Sequence, residues 1–129
     1  MPGEAHPKPI RWVGSSKEDL SGFPNDVKRR MGLALFEAQM GGKASYAKPL
    51  KGYRGAGVLE VVDDFGGDTF RVVYTVRFTG AVYALHAFKK KSRRGIATPQ
   101  AEIELIGTRL RRATEDYTEW HESERRQPR

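Results

Sequence analysis

Cysteine is absent from the 129 residues, which excludes a disulfide framework, a thiolate metal site and a cysteine nucleophile, and suits a reducing compartment. Long apolar runs are also lacking, since none approaches the roughly 20 residues of a membrane span. Met1 to Pro9 has no apolar core of the kind a signal peptide carries. A cytoplasmic protein with no membrane contact is expected. No serine sits in a nucleophile-elbow pattern, and of the three histidines His6 and His121 fall near the ends, which argues against a hydrolase triad. Gly52 to Gly57 is glycine-rich but lacks the preceding strand, following helix and spacing of a nucleotide-binding loop. Asp63, Asp64 and Asp68 surround Phe65, Gly66 and Gly67, a turn-forming composition that reads as a hairpin rather than a metal site. No metal and no small-molecule cofactor is therefore expected.

Positive charge is plentiful and unevenly placed. Residues 1–42 carry a net +1, residues 43–94 a net +7 and residues 95–129 a net −1, so the excess of +7 lies in the middle of the chain. One surface facing a polyanion, flanked by ordinary solvated helices, accounts for that distribution. A bland basic surface is the alternative.

The apolar pattern gives an order of elements. Pro9 to Val13 reads as a short strand. Ser16 with Asp19 resembles a capping pair that Gly22 closes. A longer helix then starts at Pro24, tolerated in a first helical turn, with Val27, Met31, Ala34, Leu35 and Ala38 as its apolar stripe. Residues 43–57 read as a loop rich in lysine and glycine. Three strands follow as a meander: Val58 to Val62, Phe70 to Phe78 and Ala81 to Phe88, the first two joined by the turn at 63–68. Alternation puts Phe70, Val72, Tyr74, Val76 and Phe78 on one face of the second strand and Arg71, Val73, Thr75 and Arg77 on the other. The last element is a helix with Thr98 as N-cap and Pro99 in its first turn, along which Ile103, Ile106, Leu110, Ala113, Tyr117 and Trp120 form one seam. The fold class is α+β: a mainly antiparallel sheet of about four strands with N-terminal helices and a long C-terminal helix. One domain spans 1–129, with 1–9 and 121–129 as flexible tails.

Basic residues lie on both sides of the meander, with Lys48, Lys51 and Arg54 before it, Arg71 and Arg77 within it, and Lys89, Lys90, Lys91, Arg93 and Arg94 after it. A sheet with one face open would gather them into a surface for an RNA backbone, and cations fixed beside a scissile phosphate would stabilise charge that grows in the transition state. His86, on the strand feeding the run Lys89 to Arg94, is a candidate for proton transfer or a histidine satisfied by hydrogen bonds in the sheet. Glu60 is a second proton-transfer candidate or a strand carboxylate balancing Arg71.

Several of these stretches together resemble one family: Ala47 to Gly52, Gly57 to Val61, Phe70 to Tyr74, Leu85 to Lys91, and Thr98 with Pro99. Between about Ile10 and Arg112 the chain is similar to the phage-derived, Gp49-like branch of the RelE/ParE toxin superfamily, close to HigB toxins. The resemblance implies a compact sheet with helices on one face and the toxin of a type II toxin-antitoxin system, a ribosome-dependent endoribonuclease that cuts messenger RNA without a metal. It assigns Arg71 and Lys90 to the phosphate as solvent-facing cations and His86 to proton transfer or base stacking. It also implies two partners, messenger RNA on the ribosome and a cognate helix-turn-helix antitoxin. The strand from Val58 to Val62 offers Glu60 where cleaving members carry lysines. Two alternatives remain open: a ParE-like toxin that binds gyrase without catalysis, and a non-toxic phage-derived RNA-binding protein.

Overall fold

In a computed structural model, residues 6–53, 55, 57–91 and 98–126 are described; Arg54, Arg93 and Arg94 lie outside them, and Lys91 enters only through its place in the backbone. The elements are β1 (Ile10–Trp12), α1 (Ser16–Ser21), α2 (Asn25–Gln39), β2 (Lys48–Pro49), β3 (Val58–Phe65), β4 (Asp68–Thr75), β5 (Val82–Lys91) and α3 (Gln100–Arg126). The sheet has five strands in the order β1-β5-β4-β3-β2. Among the described residues only the β1 and β5 pair is parallel.

All five apolar positions of the α2 stripe are buried, and they face Leu59 and Val61 of β3 and Phe70, Val72 and Tyr74 of β4. Leu20 and Phe23, from α1 and the segment after it, complete that core, with the Phe23 ring edge-on to Phe70 at 4.9 Å. A second core lies on the other face, where Ile106, Leu110 and Ala113 of α3 pack on Val58, Val73, Tyr83 and Leu85. The expected open face is therefore wrong. The sheet is covered on both sides, because β3, β4 and β5 carry apolar residues on each face and α3 has an apolar seam to bury against one of them.

Gly107 explains how closely α3 sits. The Tyr53 hydroxyl donates to the Ile103 carbonyl at 3.0 Å, and a Cβ on Gly107 would lie 2.7 Å from that hydroxyl oxygen. At the far end of the helix, Asp116 receives Arg11 Nε and the Tyr83 hydroxyl, each at 2.7 Å, joining α3 to β1 and β5.

Other boundaries differ from expectation for local reasons. The loop at 43–57 contains β2, a two-residue edge strand aligned with Leu59 and Glu60. β3 continues to Phe65, and the chain reverses at Gly66 and Gly67, both at positive φ as a two-residue hairpin requires. β4 stops at Thr75 rather than Phe78. There the Thr75 hydroxyl and the Val76 N–H both donate to the Gly57 carbonyl, at 2.9 and 3.0 Å, which ends the alternation and lets Phe78 turn into the second core. Pro24 stands at the N-cap, so α2 starts at Asn25, one place after the expected start. Neither end is wholly a tail: the Lys8 N–H donates to the Gln39 carbonyl at 2.9 Å, and α3 runs on to Arg126.

Candidate functional site

Strand register builds a row of side chains across the α3 face. Lys48 of β2 lies opposite Glu60 of β3, Glu60 opposite Val73 of β4, and Val73 opposite His86 of β5. The next row runs Val62, Arg71, Phe88, and a third runs Asp64, Thr69, Lys90. Directly opposed residues share a face, so Lys48, Glu60, Arg71, His86 and Lys90 all come to one side of the sheet, near the start of α3.

A bulge makes this possible on β5. The register moves from Val73 opposite His86 to Tyr74 opposite Ala84, which leaves Leu85 as an extra residue. Strict alternation from Tyr83 and Leu85 would send His86 to the α2 side. The bulge returns it to the α3 side, an effect of one inserted residue on strand phase.

Between these rows and the start of α3 is a cleft of about 690 Å³, whose walls include Lys48, Lys51, Glu60, Asp64, Arg71 and Thr98. Lys90 flanks it through its place opposite Thr69, another lining residue. Cations outnumber carboxylates there. Arg71 is not the solvent-facing cation expected: it is 7% exposed, donates to Glu60 Oε1 at 3.3 Å and to the Thr98 hydroxyl oxygen at 2.9 Å. The cause is the start of α3, which closes over the face that alternation correctly assigned to Arg71. The pair also meets the expectation of a strand carboxylate balancing Arg71.

His86 is buried and held from both ring nitrogens. Nε2 lies 2.6 Å from Glu102 Oε1, and Nδ1 lies 3.1 Å from Arg109 Nη1. A guanidinium can only donate, so Nδ1 is the acceptor and Nε2 carries the proton toward Glu102. The ring also stacks on Phe88 at 4.7 Å. Arg109 is fixed in turn by the Leu85 carbonyl at 3.1 Å, and its guanidinium passes Gly14 so closely that a Cβ there would meet it at 2.8 Å. In this arrangement His86 orders the sheet under the cleft and offers no unoccupied nitrogen to it. Glu102 and Arg109 were not foreseen as its clamps, although their spacing of two helical turns puts both on one face of α3.

The remaining candidates separate. Lys51 lines the cleft from the turn after β2. Lys89 opposes Phe70, which places it on the α2 side, where its Nζ lies 3.8 Å from Asp68 Oδ2. Arg77 follows the end of β4, with its guanidinium 5.5 Å from the Phe78 ring centre, and is not among the residues that line the cleft. Asp64 accepts from the Thr69 hydroxyl at 2.7 Å, so two of the turn aspartates are engaged within the hairpin and its neighbour strand. Among the described residues no helix is long and apolar enough to cross a membrane.

Fold and cleft together define a small basic α+β domain whose sheet carries a cation-rich cleft beside a long C-terminal helix. The chain belongs to the family described as phage-derived protein Gp49-like (DUF891), whose model matches residues 18–111. No curated protein matches it. Among solved structures it is similar to a chain of the toxin-antitoxin complex RelBE2 from Mycobacterium tuberculosis, at 19% identity and a TM-score of 0.41 over 69% of this chain and 98% of that one.

Proposed function

We propose that the chain is the toxin of a toxin-antitoxin pair and that it cleaves messenger RNA on the ribosome without a metal. The observation that carries this reading is the register that sets Lys48, Glu60, Arg71 and Lys90 on one face around a single cleft. Membership of the Gp49-like family supports it, and its partner on this reading is a cognate helix-turn-helix antitoxin.

RNA supplies its own nucleophile. The ribose 2′-oxygen forms a bond to the adjacent phosphorus as the bond to the 5′-oxygen breaks, leaving a 2′,3′-cyclic phosphate and a 5′-hydroxyl end. The protein must accept the 2′-hydroxyl proton, return one to the leaving oxygen and hold the added negative charge. On this reading Glu60 accepts the proton, while Lys48 and Lys90, at opposite ends of the rows, hold the phosphate and donate. Arg71 holds Glu60 in position and adds positive charge from the floor. His86 keeps the β5 backbone and Phe88 in register through its two clamps.

The test is incubation of the purified chain with translating ribosomes, followed by mapping of message ends. New 5′-hydroxyl ends are expected, reduced at least about tenfold by Lys48→Ala with Lys90→Ala, because each removed charge contact is worth about 1–3 kcal/mol in a transition state. Intact messages with the parent chain would sink the proposal. Arg71→Ala is a poor probe, since it strands Glu60 beneath α3 and mixes lost stability with lost chemistry.

A further inference from the structure

Besides the stripe it buries, α2 with its C-cap Met40 carries a second apolar stripe that no described residue covers. Leu33, Phe36 and Met40 are 56%, 49% and 40% exposed and follow one another at spacings of three and four residues. At about 100° per residue they point almost directly away from Val27, Met31 and Ala34. Gly32 stands beside them in mid-helix, where glycine is unfavourable, and a Cβ there would meet nothing within 4 Å. Packing among the described residues gives no reason for a glycine at this place.

From this we infer that the outer face of α2 is an interface with a second copy of the chain, the two α2 helices running antiparallel across a twofold axis. The stripe is self-complementary in that arrangement. A twofold axis normal to two antiparallel helices brings like sides together. With the axis near Leu33 and Ala34, the two Leu33 side chains meet at the centre, Phe36 enters the slot over Gly32 of the other copy, and Glu37 meets Arg30. Glu37 and Arg30 lie on the same flank of the stripe as Leu33, and Arg30 is already held there with its guanidinium 3.9 Å from the Tyr46 ring centre. One placement of the axis, between positions 33 and 34, thus brings the apolar, steric and charge partners to within about one residue of direct opposition.

Three large side chains per copy make a contact smaller than the roughly 1,600 Å² of a standard interface, so the dimer is weak and concentration-dependent. Because α2 and the cleft lie on opposite faces of the sheet, both clefts stay open and face outward.

Sedimentation equilibrium of the full chain, from about 1 μM to about 1 mM, reads the dissociation constant directly. The mass should rise from monomer toward dimer, and Leu33→Asp should weaken association at least tenfold while leaving the circular dichroism spectrum unchanged, since Leu33 is exposed. Arg30→Glu and Glu37→Arg should each weaken it and, combined in one chain, restore it. A monomer at every concentration, or a dimer indifferent to these changes, overturns the proposal. So does a double exchange that fails to restore association, because restoration is required only if each helix meets its own copy.

Discussion

Tyr74 sets a hydroxyl in the first core. The side chain is fully buried, its hydroxyl has no hydrogen-bond partner among the described residues, and burial pushes its pKa up to about 12. An unfolded chain releases that proton near the ordinary value of 10.0, so the fold disfavours ionisation that the unfolded chain allows. This residue's contribution is therefore intact below pH 10 and is lost as pH rises through the folded value. Tyr74→Phe should raise stability by about 1 kcal/mol at neutral pH, because a buried hydroxyl without a partner costs more than the ring it is attached to. It should also remove this residue's share of the alkaline loss. Urea unfolding at pH 7 and pH 11 checks both, and a less stable variant would mean that the hydroxyl is bonded in the folded protein. Arg71 marks a different limit at the same scale. Alternation placed it correctly on the face opposite Phe70, Val72 and Tyr74, but period-two spacing says nothing about what lies over that face. Its burial comes from residues nearly thirty positions on, around Thr98.

Elements whose apolar spacing is strong were legible in the chain, and the buried residues of α2 coincide with its stripe position for position. Those stitched by backbone alone were not. β2 is two residues long, both exposed, so no side-chain pattern marks it. The Leu85 bulge likewise leaves no periodic trace, yet it decides which way His86 faces. The anchor at the far end of α3 was equally hidden, since Arg11 and Asp116 are 105 positions apart. Hydrogen bonding from Arg11 is the main cause that holds the Asp116 pKa below its ordinary 3.8, with Tyr83 adding to it and desolvation opposing it. A depressed carboxylate stabilises the fold above the unfolded value and loses that contribution as pH falls below 3.8 through the folded value. Asp116→Asn should therefore lower the melting temperature at pH 7, with a deficit that shrinks as pH falls below 3.8. The pair is partly solvent-screened, which limits the effect to about 1 kcal/mol or less. Parallel thermal unfolding at pH 7 and pH 2.5 reads the difference; an equal deficit at both would assign the loss to packing instead of charge.

At the scale of the molecule, the charge excess divides between two sides of the sheet. Lys48, Lys51 and Lys90 lie at the cleft, whereas Lys89 faces the α2 side and Arg77 lies past the end of β4. Net charge alone attracts a polyanion to any of these, so total binding cannot distinguish a built track from a generally basic surface. The salt dependence of each variant can. Every phosphate neutralised on a single strand contributes about −0.7 to the slope of log affinity against log salt. Lys48→Ala and Lys51→Ala should each flatten the slope by about 0.7 if RNA runs through the cleft. Arg77→Ala and Lys89→Ala should leave it unchanged, as these cations face elsewhere. Fluorescence anisotropy of a labelled single-stranded RNA at four or more salt concentrations gives the slopes. Equal flattening by all four variants would mean that RNA is held by the protein's field as a whole, and the cleft would then lose its claim to be the place where the backbone is positioned for cleavage.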